Sequence, residues 1–164
     1  MNKEVVQALA DALARAGGAG RMRPAKAEDL ELARKAGFPP ELIDFYATCE
    51  PHPDDFCIEL EQRVSCIATA LQDNSDAVPG VGLFPHGYIV FASTTSGDAY
   101  CLDTNVETKD GQHPIVLFGH EAIDEYTELP YIQASRVEVA SSLDDFLLKF
   151  SAGKLSEKVH YPPR

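Results

Sequence analysis

The sequence has no long hydrophobic run. No stretch approaches the roughly 18 consecutive apolar residues that a membrane-spanning helix needs. Charged residues also interrupt the N-terminal segment 1–16, at Lys3, Glu4, Asp11 and Arg15. A secretory signal carries an uninterrupted apolar core. We therefore expect no membrane span and no signal peptide, and we predict a cytoplasmic protein that forms a folded domain.

Basic residues are scarce. The chain has 14 lysines and arginines against 26 aspartates and glutamates, a formal net charge of −12. Residues 1–40 contain seven basic and five acidic groups, which leaves 7 basic and 21 acidic groups in residues 41–164. Nucleic-acid binding depends on clustered lysine and arginine. We therefore predict no nucleic-acid ligand, and an acidic surface that either keeps the protein in solution or attracts basic proteins.

The few cysteines form no recognisable framework. They are Cys49, Cys57, Cys66 and Cys101, and in a reducing compartment we expect free thiols, mostly buried. Together with His52, the first three have spacings that fit no standard zinc site. Cys49 falls at the end of a predicted helix, and Cys57 and Cys101 fall in predicted strands, where a thiol is not activated. We predict no metal and no cofactor.

Other catalytic motifs are also missing. The glycine pair Gly80 and Gly82 is not followed by the Lys-Ser/Thr of a phosphate-binding loop. Asp98 and Asp103 flank a strand five residues apart, so their side chains point to opposite faces and cannot form a close carboxylate pair. We expect Asp98 to bond within the preceding turn, and Asp103, with Asn105, to close the strand. No catalytic residue is predicted.

Helical spacing of apolar residues predicts four helices. They cover residues 4–16, about 27–36, about 40–49, and a last segment that starts at Ser141 or Ser142 and runs to Phe150. A serine with an aspartate three residues later is a typical N-cap. Residues 17–24 contain three glycines and resemble a flexible joint, so residues 1–25 are predicted to form a separate N-terminal segment.

A period of two replaces the helical period in the middle of the chain. Strands are predicted at 56–60, 88–92, 99–103, 114–118 and 137–139. The polar segment 93–98, with Gly97 near its end, is typical of a hairpin connection. The pattern therefore predicts an α+β domain with a largely antiparallel sheet.

One run of acidic residues is a candidate binding site. It comprises Glu50, Asp54, Asp55, Glu59 and Glu61, and no lysine or arginine occurs between Glu41 and Glu61. Solvated surface is one interpretation. The functional hypothesis is a docking face for a basic protein, with an apolar neighbour as hot spot. The predicted partner-binding residues are Asp54, Asp55, Phe56, Glu59 and Glu61, and the acidic face could extend to Glu121, Asp124, Glu125 and Glu128.

The order of four segments resembles the SMI1/KNR4 family, also called the SUKH superfamily. The segments are the helix Phe38–Tyr46, the hairpin Phe91–Asp103, the strand Pro114–His120 and the closing helix Ser141–Phe150. The hairpin, with Gly97 followed by Asp98, Tyr100 and Asp103, is the most specific. The family's usual Asn-Gly pair after the first helix is replaced here by residues 49–52, Cys-Glu-Pro-His.

The resemblance implies a central, mainly antiparallel sheet with helices packed on one face, over residues 26–153. Residues 154–164 contain little that is apolar beyond Tyr161-Pro162-Pro163 and are predicted to form a C-terminal tail. Many bacterial members are immunity proteins that neutralise polymorphic toxins, often nucleases or deaminases, and fungal relatives regulate cell-wall synthesis through protein contacts. The expected function is therefore a non-catalytic, immunity-type domain that binds a toxin. A regulatory or scaffold module and a small hydrolase are the alternatives.

Overall fold

The computed structural model describes residues 2–16, 22–52, 61–109 and 111–163. Within them the helices are α1 (Lys3–Arg15), α2 (Ala27–Ala36), α3 (Pro40–Thr48), α4 (Ile67–Asp76), α5 (Gly80–Leu83), α6 (Leu129–Ser135) and α7 (Leu143–Ser151), with a 3₁₀ turn at Phe84–His86. The strands are β1 (Gln62–Val64), β2 (Tyr88–Thr94), β3 (Ala99–Asp103), β4 (Ile115–Phe118) and β5 (Val137–Ala140).

The five strands form one antiparallel sheet in the order β1-β2-β3-β4-β5. The polar segment between β2 and β3 is a hairpin turn, as predicted, and Gly97 adopts a positive φ of 96° there. Four of the predicted strands are confirmed as β2 to β5. The predicted strand at 56–60 lies outside the described residues, and β1 was not predicted.

The larger helices pack on one face of this sheet. Phe91 of β2 and Tyr100 of β3 contact Phe146 of α7, with ring centroids 4.9 and 5.2 Å apart. Each such aromatic pair stabilises the fold by about 0.5–1.5 kcal/mol beyond the area it buries. The N-terminal helix α1 packs against α7 and buries Val5, Leu9 and Leu13 in the same core. An α+β fold with its main helices on one face is confirmed.

A thinner layer covers the opposite face. Side chains of β2, β3 and β4 on that face pack against Leu83 of α5, Ile132 of α6 and the loop residues Ala122 and Ile123. Because both faces are covered, the central strands are buried along their whole length. The loop between β4 and α6 therefore packs directly on the buried central strands.

The predicted helices agree closely with α1, α2, α3 and α7. Ser142 is the N-cap of α7, and its hydroxyl accepts from the Asp145 backbone N–H at 3.2 Å, as the serine and aspartate pattern predicted. Helices α4, α5 and α6 were not predicted. Cys49, Cys66 and Cys101 are buried free thiols, which confirms the prediction for these three, whereas Cys57 lies outside the described residues.

Among the described helices, none is both long and apolar enough to cross a membrane.

Candidate protein-binding site

Glu61 and the acidic segment that follows β4 lie at the hairpin end of the sheet. The Thr95 backbone N–H donates to the carbonyl of Glu61 at 2.9 Å, so Glu61 lies beside the hairpin turn. Ala99, which follows this turn, pairs with Phe118 at the end of β4. The chain then continues through Gly119 and His120 into residues 121–128, here called the 121–128 loop. The sheet register therefore brings Glu61 and the start of this loop to the same end of the domain.

Glu61 is the predicted partner-binding residue that the structure describes. It is exposed and adopts a left-handed conformation with φ 51°, immediately before β1. The other four, Asp54, Asp55, Phe56 and Glu59, lie outside the described residues. Their role in binding stays a prediction.

Glu50 does not belong to an acidic surface, and its inclusion in the acidic run was wrong. It is only 4% exposed. One carboxylate oxygen accepts from the Ile67 backbone N–H at 3.0 Å and so caps α4, and the other lies 3.6 Å from Nε of Arg23. The counter-ion of Glu50 is Arg23, which precedes α2 and so lies far outside the acidic run in sequence.

The 121–128 loop is the best-defined acidic surface of the described residues. Its exposed carboxylates are Glu121, Asp124, Glu125 and Glu128. In the sequence, no lysine or arginine occurs between Lys109 and Arg136. Tyr126, at the centre of these carboxylates, is 82% exposed, and Leu129 is 39% exposed just after the loop. Tyrosine is enriched among the hot spots of protein interfaces, so Tyr126 is a candidate contact for a protein partner.

The loop packs onto the domain through two buried residues and contains a tight turn. Ala122 and Ile123 are each only 2% exposed. The Asp124 carboxylate accepts from the Tyr126 backbone N–H at 3.0 Å and from the Thr127 hydroxyl at 2.8 Å. These bonds form a tight turn that points away from the buried residues. A loop ordered before binding loses less conformational entropy when a partner docks.

Tyr126 combines an apolar ring with a hydrogen-bonding tip. The hydrogen bond to Glu125, the charge of Glu125 and, less strongly, burial and Asp124 all raise the pKa of Tyr126 above its ordinary value of 10.0. The phenol is protonated at neutral pH and donates its O–H to the Glu125 carboxylate. A cleft of about 280 Å³ lies beside it, lined by residues of the loop and by Tyr131. The arrangement suits a partner side chain inserted next to the ring.

A hydrogen-bond network anchors the start of the loop. Oδ1 of Asp98 accepts from the His120 backbone N–H at 3.0 Å and lies 2.8 Å from its Nδ1, and Oδ2 accepts from the Ser96 hydroxyl at 3.0 Å. Burial acts to raise the pKa of Asp98, but these hydrogen bonds outweigh it and the pKa is lowered from 3.8. The ionised carboxylate thus ties the hairpin turn to the segment that enters the loop.

This network differs from a hydrolase triad. In a triad the histidine lies between the serine and the carboxylate, and takes the proton of the serine. Here Ser96 and His120 both bond to Asp98. At the other end of β3, Asp103 accepts from the Asn105 backbone N–H at 3.1 Å and from Nε of Arg136 at 2.7 Å. The predicted bonds of Asp98 within the hairpin turn and of Asp103 with Asn105 are confirmed.

Cys66 lies at the start of a helix that was not predicted. Cys66 is the N-cap residue of α4, a position that can activate a thiol. It is 5% exposed, and its Sγ lies 3.3 Å from the Thr69 hydroxyl, so little of it is accessible to a substrate. Across the ranges that the structure describes, no three His, Cys, Asp or Glu side chains are grouped as metal ligands.

Comparison with protein families identifies a match over most of the chain. The model of the SMI1 / KNR4 family (SUKH-1) matches residues 24–149, from just before α2 into α7. The matched span includes the whole sheet and the 121–128 loop, and it leaves α1 outside. No significant match was found among curated proteins or among solved structures. Because the matched span covers well over half of the sequence, the chain belongs to the SMI1/KNR4 (SUKH-1) family.

Proposed function

We propose that this chain is a non-catalytic, cytoplasmic protein-binding domain of the immunity type, which neutralises a cognate toxin by direct binding. The observation that carries the proposal is the 121–128 loop, which presents Tyr126 at 82% exposure together with four exposed carboxylates. Membership of the SMI1/KNR4 family supports a binding function. The bonding of Ser96 and His120 to Asp98 supports a structural rather than a catalytic use of these groups.

The charge of the loop suits a basic partner. A nuclease or another enzyme that acts on polyanions carries lysine and arginine at its substrate cleft. The acidic loop would attract such a surface over about one Debye length, roughly 8 Å at physiological ionic strength, and would cover the cleft. The ring of Tyr126 and the neighbouring Leu129 would supply the desolvated contact that gives affinity.

The second acidic segment is proposed to extend this surface. Glu61 is exposed at the same end of the sheet as the start of the 121–128 loop. The predicted binding residues Asp54, Asp55, Phe56 and Glu59 precede it in sequence. We expect them to contact the same partner as the loop.

The test is capture of the partner from the cells that make the protein. Tagged wild type is compared with Tyr126→Ala and with a triple charge reversal, Glu121→Lys, Glu125→Lys and Glu128→Lys. A matched control reverses three exposed acidic residues elsewhere: Glu4, Asp11 and Glu107. We expect one basic protein to be captured by wild type and by the control, and lost from both loop variants and at raised salt. Equal capture by all variants would contradict the binding role of the loop.

The toxicity of the captured protein then distinguishes two functions. If its expression alone arrests growth and co-expression of the wild-type chain restores growth, the immunity function is supported. A partner that is harmless when expressed alone would instead indicate a regulatory or scaffold module that uses the same loop. The Tyr126→Ala variant should fail to restore growth although it folds, because the exposed ring makes few contacts within the chain.

A further inference from the structure

Helix α2 exposes a large apolar side chain at its centre. Leu32 is 54% exposed, although the helix buries Leu30 and Ala33 on its inner side. Glu28 lies four residues before Leu32 and Lys35 three residues after it, so the three share one stripe on the outer surface of the helix. Along the helix axis, the stripe therefore presents an acidic, then an apolar, then a basic residue.

An apolar groove of about 500 Å³ lies beside this stripe, between α2 and α4. Leu32 and Ala36 form the α2 wall, and Leu71 contributes to the α4 wall. Phe38 and Phe84 contribute to the lining, and their ring centroids are 6.3 Å apart. An apolar groove next to an exposed leucine is a surface that a second apolar helix face can cover.

We propose that the groove is covered by the same surface of a second copy of this chain, with the two α2 helices antiparallel across a two-fold axis. In such an isologous interface each protomer uses the same patch. Leu32 of each copy then enters the groove of the other, against Phe38, Leu71 and Phe84. The proposal goes beyond the proposed toxin binding, because it assigns a separate surface.

The charges of α2 are self-complementary in this arrangement. In an antiparallel pair centred close to Leu32, Glu28 of each copy lies opposite Lys35 of the other. The pairs that these residues make within the chain, Lys26 with Glu28 at 3.7 Å and Lys35 with Glu31 at 3.6 Å, are more than half exposed. Such exposed pairs contribute little, so exchanging them for pairs across the interface costs little.

Helix α2 itself is close to neutral, with three acidic and two basic residues. Residues 41–164 have 7 basic and 21 acidic groups, whereas residues 1–40 have seven basic and five acidic groups. Two copies repel each other mainly through the acidic body, and the near-neutral α2 adds little to this repulsion, although Asp76 also lines the groove. The groove is lined by no residue of the 121–128 loop. Self-association and toxin binding are therefore separable by substitution.

Sedimentation equilibrium over a wide range of concentrations is the first test. Wild type should show a species of twice the 17.9 kDa chain mass. Leu32→Asp should weaken the dimer by about a hundredfold, because it places a charge in an apolar contact. Val106→Asp, at a residue that is 43% exposed outside the groove, should leave the dimer unchanged. The proposal would be overturned if wild type is monomeric, even if its groove binds a different protein. It would also be overturned if Leu32→Asp leaves the dimer unchanged.

A mixing experiment tests the antiparallel arrangement. Glu28→Lys and Lys35→Glu each create two like-charge contacts in a homodimer, and each should weaken it by about tenfold. Mixed together, the two variants should form a heterodimer close to wild type in affinity, as should one chain that carries both substitutions. The charge order of α2 also suits the helix dipole, but a dipole effect acts within one chain and predicts no recovery on mixing. Failure to recover would overturn the arrangement.

Discussion

Asn74 of α4 and Val90 of β2 are joined by two hydrogen bonds: the Asn74 amide donates to the Val90 carbonyl at 2.8 Å, and its oxygen accepts from the Val90 N–H at 2.9 Å. β1 is only three residues long and pairs with β2 as far as Ala92. Beyond that point the Asn74 side chain occupies the position of a strand neighbour. An otherwise open edge of the sheet is closed by one residue of a helix.

Replacement of Asn74 should destabilise the fold more than any exposed change on α4. Asn74→Ala removes these two bonds and a third to the Ala70 carbonyl at 2.7 Å, and it leaves both polar groups of Val90 without their partner. We expect the free energy of unfolding in urea to fall by about 3 kcal/mol. Gln72→Ala, at an exposed position of the same helix, should change it by less than about 0.5 kcal/mol. Equal effects would contradict this role for Asn74.

The helix that carries Asn74 was not predicted from the sequence, and its N-terminus explains why. Cys66 caps no backbone group with its side chain, so α4 lacks a local start signal. The cap comes instead from Glu50, 17 residues before Ile67. Helix α2, by contrast, agrees with its prediction, because Gly37 ends it in a left-handed conformation with φ 91°. Local signals were readable, and a cap from a distant residue was not.

The side chain of Glu50 should matter more than that of its ion-pair partner. Glu50→Ala removes the acceptor of the Ile67 N–H and should lower the free energy of unfolding by about 2 kcal/mol. Arg23→Ala should cost less than about 1 kcal/mol, because the Arg23 side chain is 55% exposed. The backbone pairing of Arg23 and Glu50 is kept in both variants. Chemical unfolding measures both, and a larger loss for Arg23→Ala would contradict the capping role.

The candidate site could be predicted only in part. The acidic residues of the 121–128 loop and the absence of nearby cations are visible in the sequence. The sequence does not show which apolar residue is exposed, because Ile123, Tyr126 and Ile132 occur within ten residues without a regular period. The structure buries both isoleucines and exposes Tyr126. The turn built on Asp124 positions Tyr126, and side-chain to backbone bonds of this kind leave only a weak signal in one sequence.

Gly82 should control the position of the loop. A Cβ atom at Gly82 would lie 2.1 Å from the carbonyl oxygen of Asp124, so α5 and the loop must separate to admit a side chain. We expect Gly82→Ala to lower the free energy of unfolding by about 1–3 kcal/mol and to weaken partner capture. Val81→Ala, at the neighbouring position, should leave capture unchanged. Full capture by folded Gly82→Ala would mean that the partner does not depend on the loop conformation.

Acid should weaken the fold through Asp98. The pKa of Asp98 is lowered in the folded protein, chiefly because hydrogen bonds from His120 and Ser96 outweigh its burial. A carboxyl with a lowered pKa contributes stability above its ordinary value of 3.8, and this contribution is lost as the pH falls through the lower, folded value. Wild type should therefore lose more free energy of unfolding than Asp98→Asn when the pH is lowered from neutral to about 3. Thr95→Ala, an exposed change in the same hairpin, should keep the wild-type pH dependence. Parallel curves for wild type and Asp98→Asn would contradict the role of this carboxylate.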